Sequence, residues 1–344
     1  MRIFAHKPLK KLMYASLAQA GVCADACHHV TESVTQTSLR GIDSHGITLF
    51  PHYHAMVLSG RINGNPSFNH ERRSASIAAF DANHGFGHHA GSDAMLLAVD
   101  IAKETGIGAV SVKNSTHFGA AAYYAFMAAE HNFMGLAFTN APSGVLAYNS
   151  STSFFGTNPV CCVAPMLDEG PFCLDMATAS FSINRLGNHK RLNQPIDPGL
   201  VFDAYGKMTT DPQAARFVGP SGGYKGYGLG MMVDIFCGMF ASSPMGKELQ
   251  PMYKDFSAKR YLSHFFVAID ISRFLDVTEF KTRLQNLAAT IRQLPKADED
   301  TPVMIPGDPE KKCFSERSVS GIPVDEPMYQ KFLAIDAAYA SALM

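Results

Sequence analysis

The chain has 344 residues, 47% of them hydrophobic and 17% charged, a folded composition long enough for two or three lobes. Its 29 basic and 30 acidic side chains nearly cancel, and no long run of like charge occurs. That balance excludes an electrostatic footprint for nucleic acid or an anionic membrane and points to a small-molecule ligand.

Lys7, Lys10 and Lys11 precede a short apolar stretch ending in Ala18-Gln19-Ala20, which imitates a secretory signal. Ser16 and Gln19 interrupt it, and the seven scattered cysteines suit reduced thiols, so a cytoplasmic protein is expected. Residues 9 to 39 carry apolar positions at helical spacing and predict one or two helices. Cys23, Cys27, His28 and His29 lie on that helical stretch. They have zinc-type chemistry but no second ligand pair at finger spacing, so no metal is expected.

The helical pattern stops at Arg40-Gly41-Ile42-Asp43-Ser44-His45-Gly46, an irregular turn in which Asp43 and Ser44 could orient His45. From Ser76 the pattern reads strand (Ser76 to Asp81), glycine-rich turn (Gly85 to Gly91), helix (Asp93 to Thr105) and strand (Gly108 to Val112). The glycine turn imitates a pyrophosphate cradle. A dinucleotide fingerprint wants an acidic residue at the end of the following strand, and here Lys113-Asn114 stands there.

His117 follows, between a strand end and an expected helix from Ala120 to His131, where the helix N-terminus would favour a neutral ring. Further strands are expected at Gly135 to Thr139, Val160 to Ala164, Phe172 to Leu174 and Phe265 to Ile271. Helices are expected at Tyr227 to Phe240 and Phe280 to Leu294, and a charged, proline-bearing surface stretch at Lys296 to Asp308. The stretch from Tyr227 to Met245 is strongly apolar, but Asp234 and its glycines mark a buried helix rather than a membrane span. Gly222-Gly223-Tyr224-Lys225-Gly226 places a lysine in a glycine-rich turn suited to a phosphate or carboxylate.

Five segments in order, RGIDSHG (40–46), STHFGAAAYYA (115–125), FGTNP (155–159), LDMAT (174–178) and GGYKGYG (222–228), resemble the malate/L-lactate dehydrogenase family that is distinct from the Rossmann-type enzymes. Its relatives include ureidoglycolate dehydrogenase, sulfolactate dehydrogenase, 2,3-diketogulonate reductase and piperideine-carboxylate reductase. The resemblance implies an α/β fold with a mixed, largely antiparallel sheet core, an N-terminal helical part, a non-Rossmann NAD(P) site and a homodimer. The expected organisation is a helical, substrate-side segment over 1–75, a cofactor-binding core over 76–300 and a C-terminal segment over 301–344 that packs back on the N-terminal part.

The same resemblance implies NAD or NADP bound near Asn140, Leu174, Asp175, Met176, Tyr224, Lys225, Gly307 and Asp308, with Ser44 and His45 beside the substrate. His117 and His45 compete as proton carrier, and Asp175 would orient a histidine or hold a turn. Relatives commonly place an arginine where this chain has Leu49, so either another cation grips the substrate carboxylate or the substrate is held differently. The expected reaction is hydride transfer between a 2-hydroxy acid and its 2-oxo acid. Ureidoglycolate dehydrogenase and ketimine reductase chemistry are the alternatives.

Overall fold

The computed structural model describes residues 1–344, the side chain of Asn184 excepted. The chain opens with β1 (Arg2–Phe4), two helices, α1 (His6–Gln19) and α2 (Ala24–Leu39), and then α3 (Phe50–Leu58). The helical pattern read over 9 to 39 is therefore two helices, broken at Gly21, whose φ of 81° suits glycine. Next come β2 (Asn69–Arg72), β3 (Ile77–Asp81), α4 (Gly87–Thr105), β4 (Ile107–Ser115), α5 (Ala122–Glu130), β5 (Phe133–Thr139), β6 (Val160–Ala164) and β7 (Phe172–Met176). A small lobe holds α6 (Ile183–Leu192), β8 (Val201–Phe202), β9 (Met208–Thr209) and β10 (Phe217–Val218). The remainder is α7 (Tyr224–Asp234), β11 (Leu262–Asp270), α8 (Val277–Arg292), α9 (Asp308–Ser320), β12 (Ile322–Val324) and α10 (Glu326–Ile335).

Seven strands form the main sheet in the order β2-β3-β4-β11-β5-β6-β7. Only β3 and β4 run parallel, joined through α4 as the expected βαβ unit; every other pair is antiparallel. The fold is thus α/β with a mixed, largely antiparallel sheet. Apolar side chains alternate along β4 and β11, so Val110, Val112, Phe266 and Ala268 enter one core with Ala94, Met95, Ala98 and Ala102 of α4. The small alanine face lets α4 lie close to the strands. Phe138, Val233 and Cys237 form a separate cluster, with Phe236 and Phe265 packed against it.

The N-terminal helices form a second core with the C-terminal segment. Leu9, Met13, Val30, Phe50 and Tyr53 pack with Ile322, Phe332 and Tyr339, and β1 pairs antiparallel with β12. The glycine segment at Gly85 to Gly91 is not a free loop: Gly87 to Gly91 form the buried first turns of α4. The Gly87 N–H is already taken by Thr116 Oγ1 at 3.0 Å, so the start of this helix is closed by protein rather than open to a phosphate. Among the described residues, no helix is long and apolar enough to cross a membrane.

Candidate active site

A cleft of about 1370 Å³ opens between the two main cores. It is lined by the turn at Ser44 and His45, the loop at His117, the strand ends at Asn140 and Asp175, the segment from Pro251 to Arg260, and the turn at Pro306 and Gly307.

His117 does not sit on a helix start. β4 ends at Ser115 and α5 begins at Ala122, which leaves His117 in the loop between them. That loop is held from behind, because Thr116 Oγ1 donates to Gly85 O at 3.0 Å while accepting from Gly87 N–H. The ring is held as well: Tyr53 Oη lies 2.7 Å from Nδ1, and the Gly119 N–H donates to the same nitrogen at 3.3 Å. A backbone N–H can only donate, so Nδ1 is the acceptor, the Tyr53 hydroxyl donates to it, and the neutral ring carries its proton on Nε2. Burial pushes the His117 pKa well below its usual value, and a proton on neighbouring His45 and the Arg260 guanidinium both oppose its protonation further. The neutral form therefore follows from burial and neighbouring charge rather than from a helix dipole.

His45 stacks on His117 with ring centroids 5.7 Å apart and planes 22° apart. Its Nδ1 lies 2.9 Å from Ser44 Oγ, and burial lowers its pKa too. Asp43 is engaged elsewhere, by Arg317 of α9 through a two-pronged pair at 2.6 and 3.0 Å. The turn is also compact at Gly46, where a Cβ would meet Ser38 Oγ at 2.0 Å. Helix α9 thus pins the turn that presents His45.

Asp175 accepts the Ala122 N–H at 2.8 Å at the start of α5, and burial raises its carboxyl to about 6. Its observed bond holds a helix start and does not run to either histidine. Asn140 is buried, accepting from Ser263 N–H at 3.0 Å and donating to Pro244 O at 3.2 Å. Asn140, Leu174, Asp175 and Gly307 line the cleft together, whereas Met176, Tyr224, Lys225 and Asp308 lie outside its lining. Tyr224 and Lys225 are exposed in the first turn of α7. The Asp308 carboxylate is taken up by Arg292 at 2.6 and 2.9 Å and by the Ile305 N–H at 3.0 Å, which shapes the turn carrying Gly307.

Two residues that no sequence motif marks stand beside His117. Tyr53 sits on α3 among buried apolar side chains, and Arg260 precedes β11. Leu49 is buried in the N-terminal core and presents nothing to the cleft. Cys27 is likewise a core residue, its thiol pushed up to about 11 by burial. Among the described residues, no group of three or more His, Cys, Asp or Glu could hold a metal ion.

The family model described as malate/L-lactate dehydrogenase matches residues 4–333. Malate dehydrogenase of Pyrococcus abyssi is 34% identical over 328 residues, covering 92% of this chain and 88% of that protein. Malate/(S)-sulfolactate dehydrogenase of Methanothermus fervidus is 31% identical, with 95% of each chain covered. The crystal structure of malate dehydrogenase from Entamoeba histolytica superposes with a TM-score of 0.93 at 28% identity, covering 98% of both chains.

Proposed function

The chain belongs to the malate/L-lactate dehydrogenase family, and we propose that its histidine pair serves the reversible reduction of a 2-oxo acid to a 2-hydroxy acid. It is an NAD(P)-dependent oxidoreductase of the 2-hydroxy acid class. The observation that carries the mechanistic reading is the bonding of His117. Both donors at Nδ1 come from the protein, which leaves the Nε2–H as the remaining donor of a ring that lines the cleft.

When bound, the nicotinamide supplies or accepts the hydride at C2. The neutral His117 ring polarises the C2 carbonyl through Nε2–H and yields that proton to the oxygen as C2 is reduced; solvent restores it after product leaves. Tyr53 and the Gly119 N–H stabilise the ring at Nδ1 while it is short of a proton, and oxidation runs the same path in reverse. His45, oriented by Ser44, positions the substrate. A well-placed acid or base contributes about 10² to 10⁴ in rate.

The cleft suits a flat dinucleotide head group. Its wall combines the small apolar run Ala120 to Ala122 with Ala141, Pro142 and Pro306, and Asn140, Leu174, Asp175 and Gly307 supply polar or backbone groups beside them. We assign cofactor contact to those residues, with Met176 and Asp308 shaping the adjoining strand and turn. Tyr224 and Lys225 are assigned to the outer, phosphate-bearing end, where an exposed cation can meet it. The exposed apolar side chains Leu229, Met231, Met239 and Phe240 support pairing of two copies, and seven unpaired cysteines support a cytoplasmic setting. The test is a spectrophotometric screen of NADH and NADPH oxidation against 2-oxo acids and cyclic imino acids. Turnover confined to imino acids would replace the 2-oxo acid reading with a ketimine reductase.

A further inference from the structure

Arg260 is only 4% exposed, yet no carboxylate neighbours it among the described residues and its Nε has no hydrogen-bond partner. A buried guanidinium left in that state costs stability. Its neighbour Arg61 shows how a purely structural arginine is treated in this fold: it is 1% exposed and donates to Ala258 O at 2.8 Å, Met252 O at 2.9 Å and Pro251 O at 2.9 Å. Arg260 instead lines the cleft, and together with His117, Tyr53 and Thr116 it lines a small void of about 10 Å³. The other cations of the cleft are differently placed. Arg40 donates to Gln36 and lies over the Phe126 and Phe314 rings, while Lys254 is exposed.

We propose that Arg260 is the receptor for the substrate carboxylate, holding it beside His117 so that the adjacent C2 carbonyl meets the Nε2–H. A planar fork with unsatisfied donors matches a carboxylate, and an anion arriving there supplies the missing countercharge. The cation lacking at Leu49 is thereby supplied from the far side of the sequence, at the entrance to β11. This assignment rests on the 2-oxo acid reading above and names the group that selects an acid over a neutral ketone.

The experiment compares wild type with Arg260→Gln and Arg260→Lys, using 2-oxo acids and their methyl esters as substrates. Thermal melts with and without oxalate, a non-reactive carboxylate probe, run alongside. Arg260→Gln is expected to raise KM for the acid on the order of 100-fold, to change KM for the ester far less, and to abolish the oxalate-induced rise in Tm. The ligand-free Tm should hold or increase, because an unpaired buried charge has been removed. Arg260→Lys should recover part of the acid KM. An unchanged acid KM and oxalate shift would overturn the proposal. So would a lower ligand-free Tm with acid and ester impaired alike, which is the mark of a structural arginine. If wild type turns over no 2-oxo acid, the functional reading fails separately, and the oxalate melts still report whether Arg260 holds a carboxylate.

Discussion

The Tyr53 hydroxyl and Nδ1 of His117 lie 2.7 Å apart, joining the middle of α3 to the loop after β4. This one bond orients the ring and stabilises it as it gives up its proton. Tyr53→Phe keeps the aromatic packing against His88 and Phe86 and removes only the hydroxyl. The expected result is a kcat about tenfold lower with KM little changed, the size of one lost hydrogen bond to a ring carrying developing charge. Steady-state kinetics check it, and an unaltered kcat would remove Tyr53 from the proton path.

His117→Asn should lower kcat by about 10² to 10⁴ with cofactor affinity retained, whereas His45→Asn should act chiefly on KM. Because burial and neighbouring charge hold the His117 pKa well below its usual value, the reduction rate of wild type should not show its titration between about pH 6 and 8. Single-turnover hydride transfer and a pH profile test both statements. Near-normal transfer in His117→Asn would move the proton role to His45.

Gly87→Ala should damage the site from behind. A Cβ there would stand 2.4 Å from Thr116 O and 2.8 Å from His117 O, both of them backbone atoms that cannot move aside cheaply. The expected outcome is a lower Tm, by about 1 to 3 kcal/mol of stability, and a reduced kcat from a displaced His117. Dinucleotide affinity, read by fluorescence titration, should stay within about threefold, since this helix start is filled by Thr116. Specific loss of cofactor binding in a stable mutant would restore a phosphate role to the segment.

Stability should fall on mild acidification. Burial drives His88 and His264 down to about 3 and His29 and His52 down to about 4. For these four the folded pKa is depressed, so below about pH 6.5 the unfolded chain binds more protons and their contribution declines as pH falls. Asp175 and Asp234 oppose this, because burial raises both to about 6 and the folded state then takes up the extra proton. Four groups outweigh two, so Tm at pH 5 should lie below Tm at pH 7. Calorimetric melts at constant ionic strength measure the difference, and a flat or rising Tm would show that these histidines meet protons in the folded state.

Much of the architecture was legible locally. Periodicity and turn residues mark the β3-α4-β4 unit, and the strand at Val160–Ala164 has the same limits in sequence and structure. Those features depend on residues within a few positions of each other, and side-chain alternation or a 3.6-residue period is written directly into such a window. The five ordered motifs likewise carry the family, and with it the mixed sheet. They also single out His45 and His117 as candidates, without any indication that the two rings stack.

The working arrangement of the cleft was decided by the tertiary structure alone. Tyr53 reaches His117 across 64 positions, and Arg317 holds Asp43 across 274. Arg260 enters the same cleft from the start of a strand that nothing nearby in sequence marks as functional. In the sequence, Tyr53 is one aromatic residue among apolar neighbours and Arg260 one base in a Lys-Arg pair. Their roles come from burial and from the direction of a hydroxyl or guanidinium, and these exist only once two separate cores close around the cleft. Charge and hydrogen-bond strength depend on that surrounding medium, which a linear pattern does not encode.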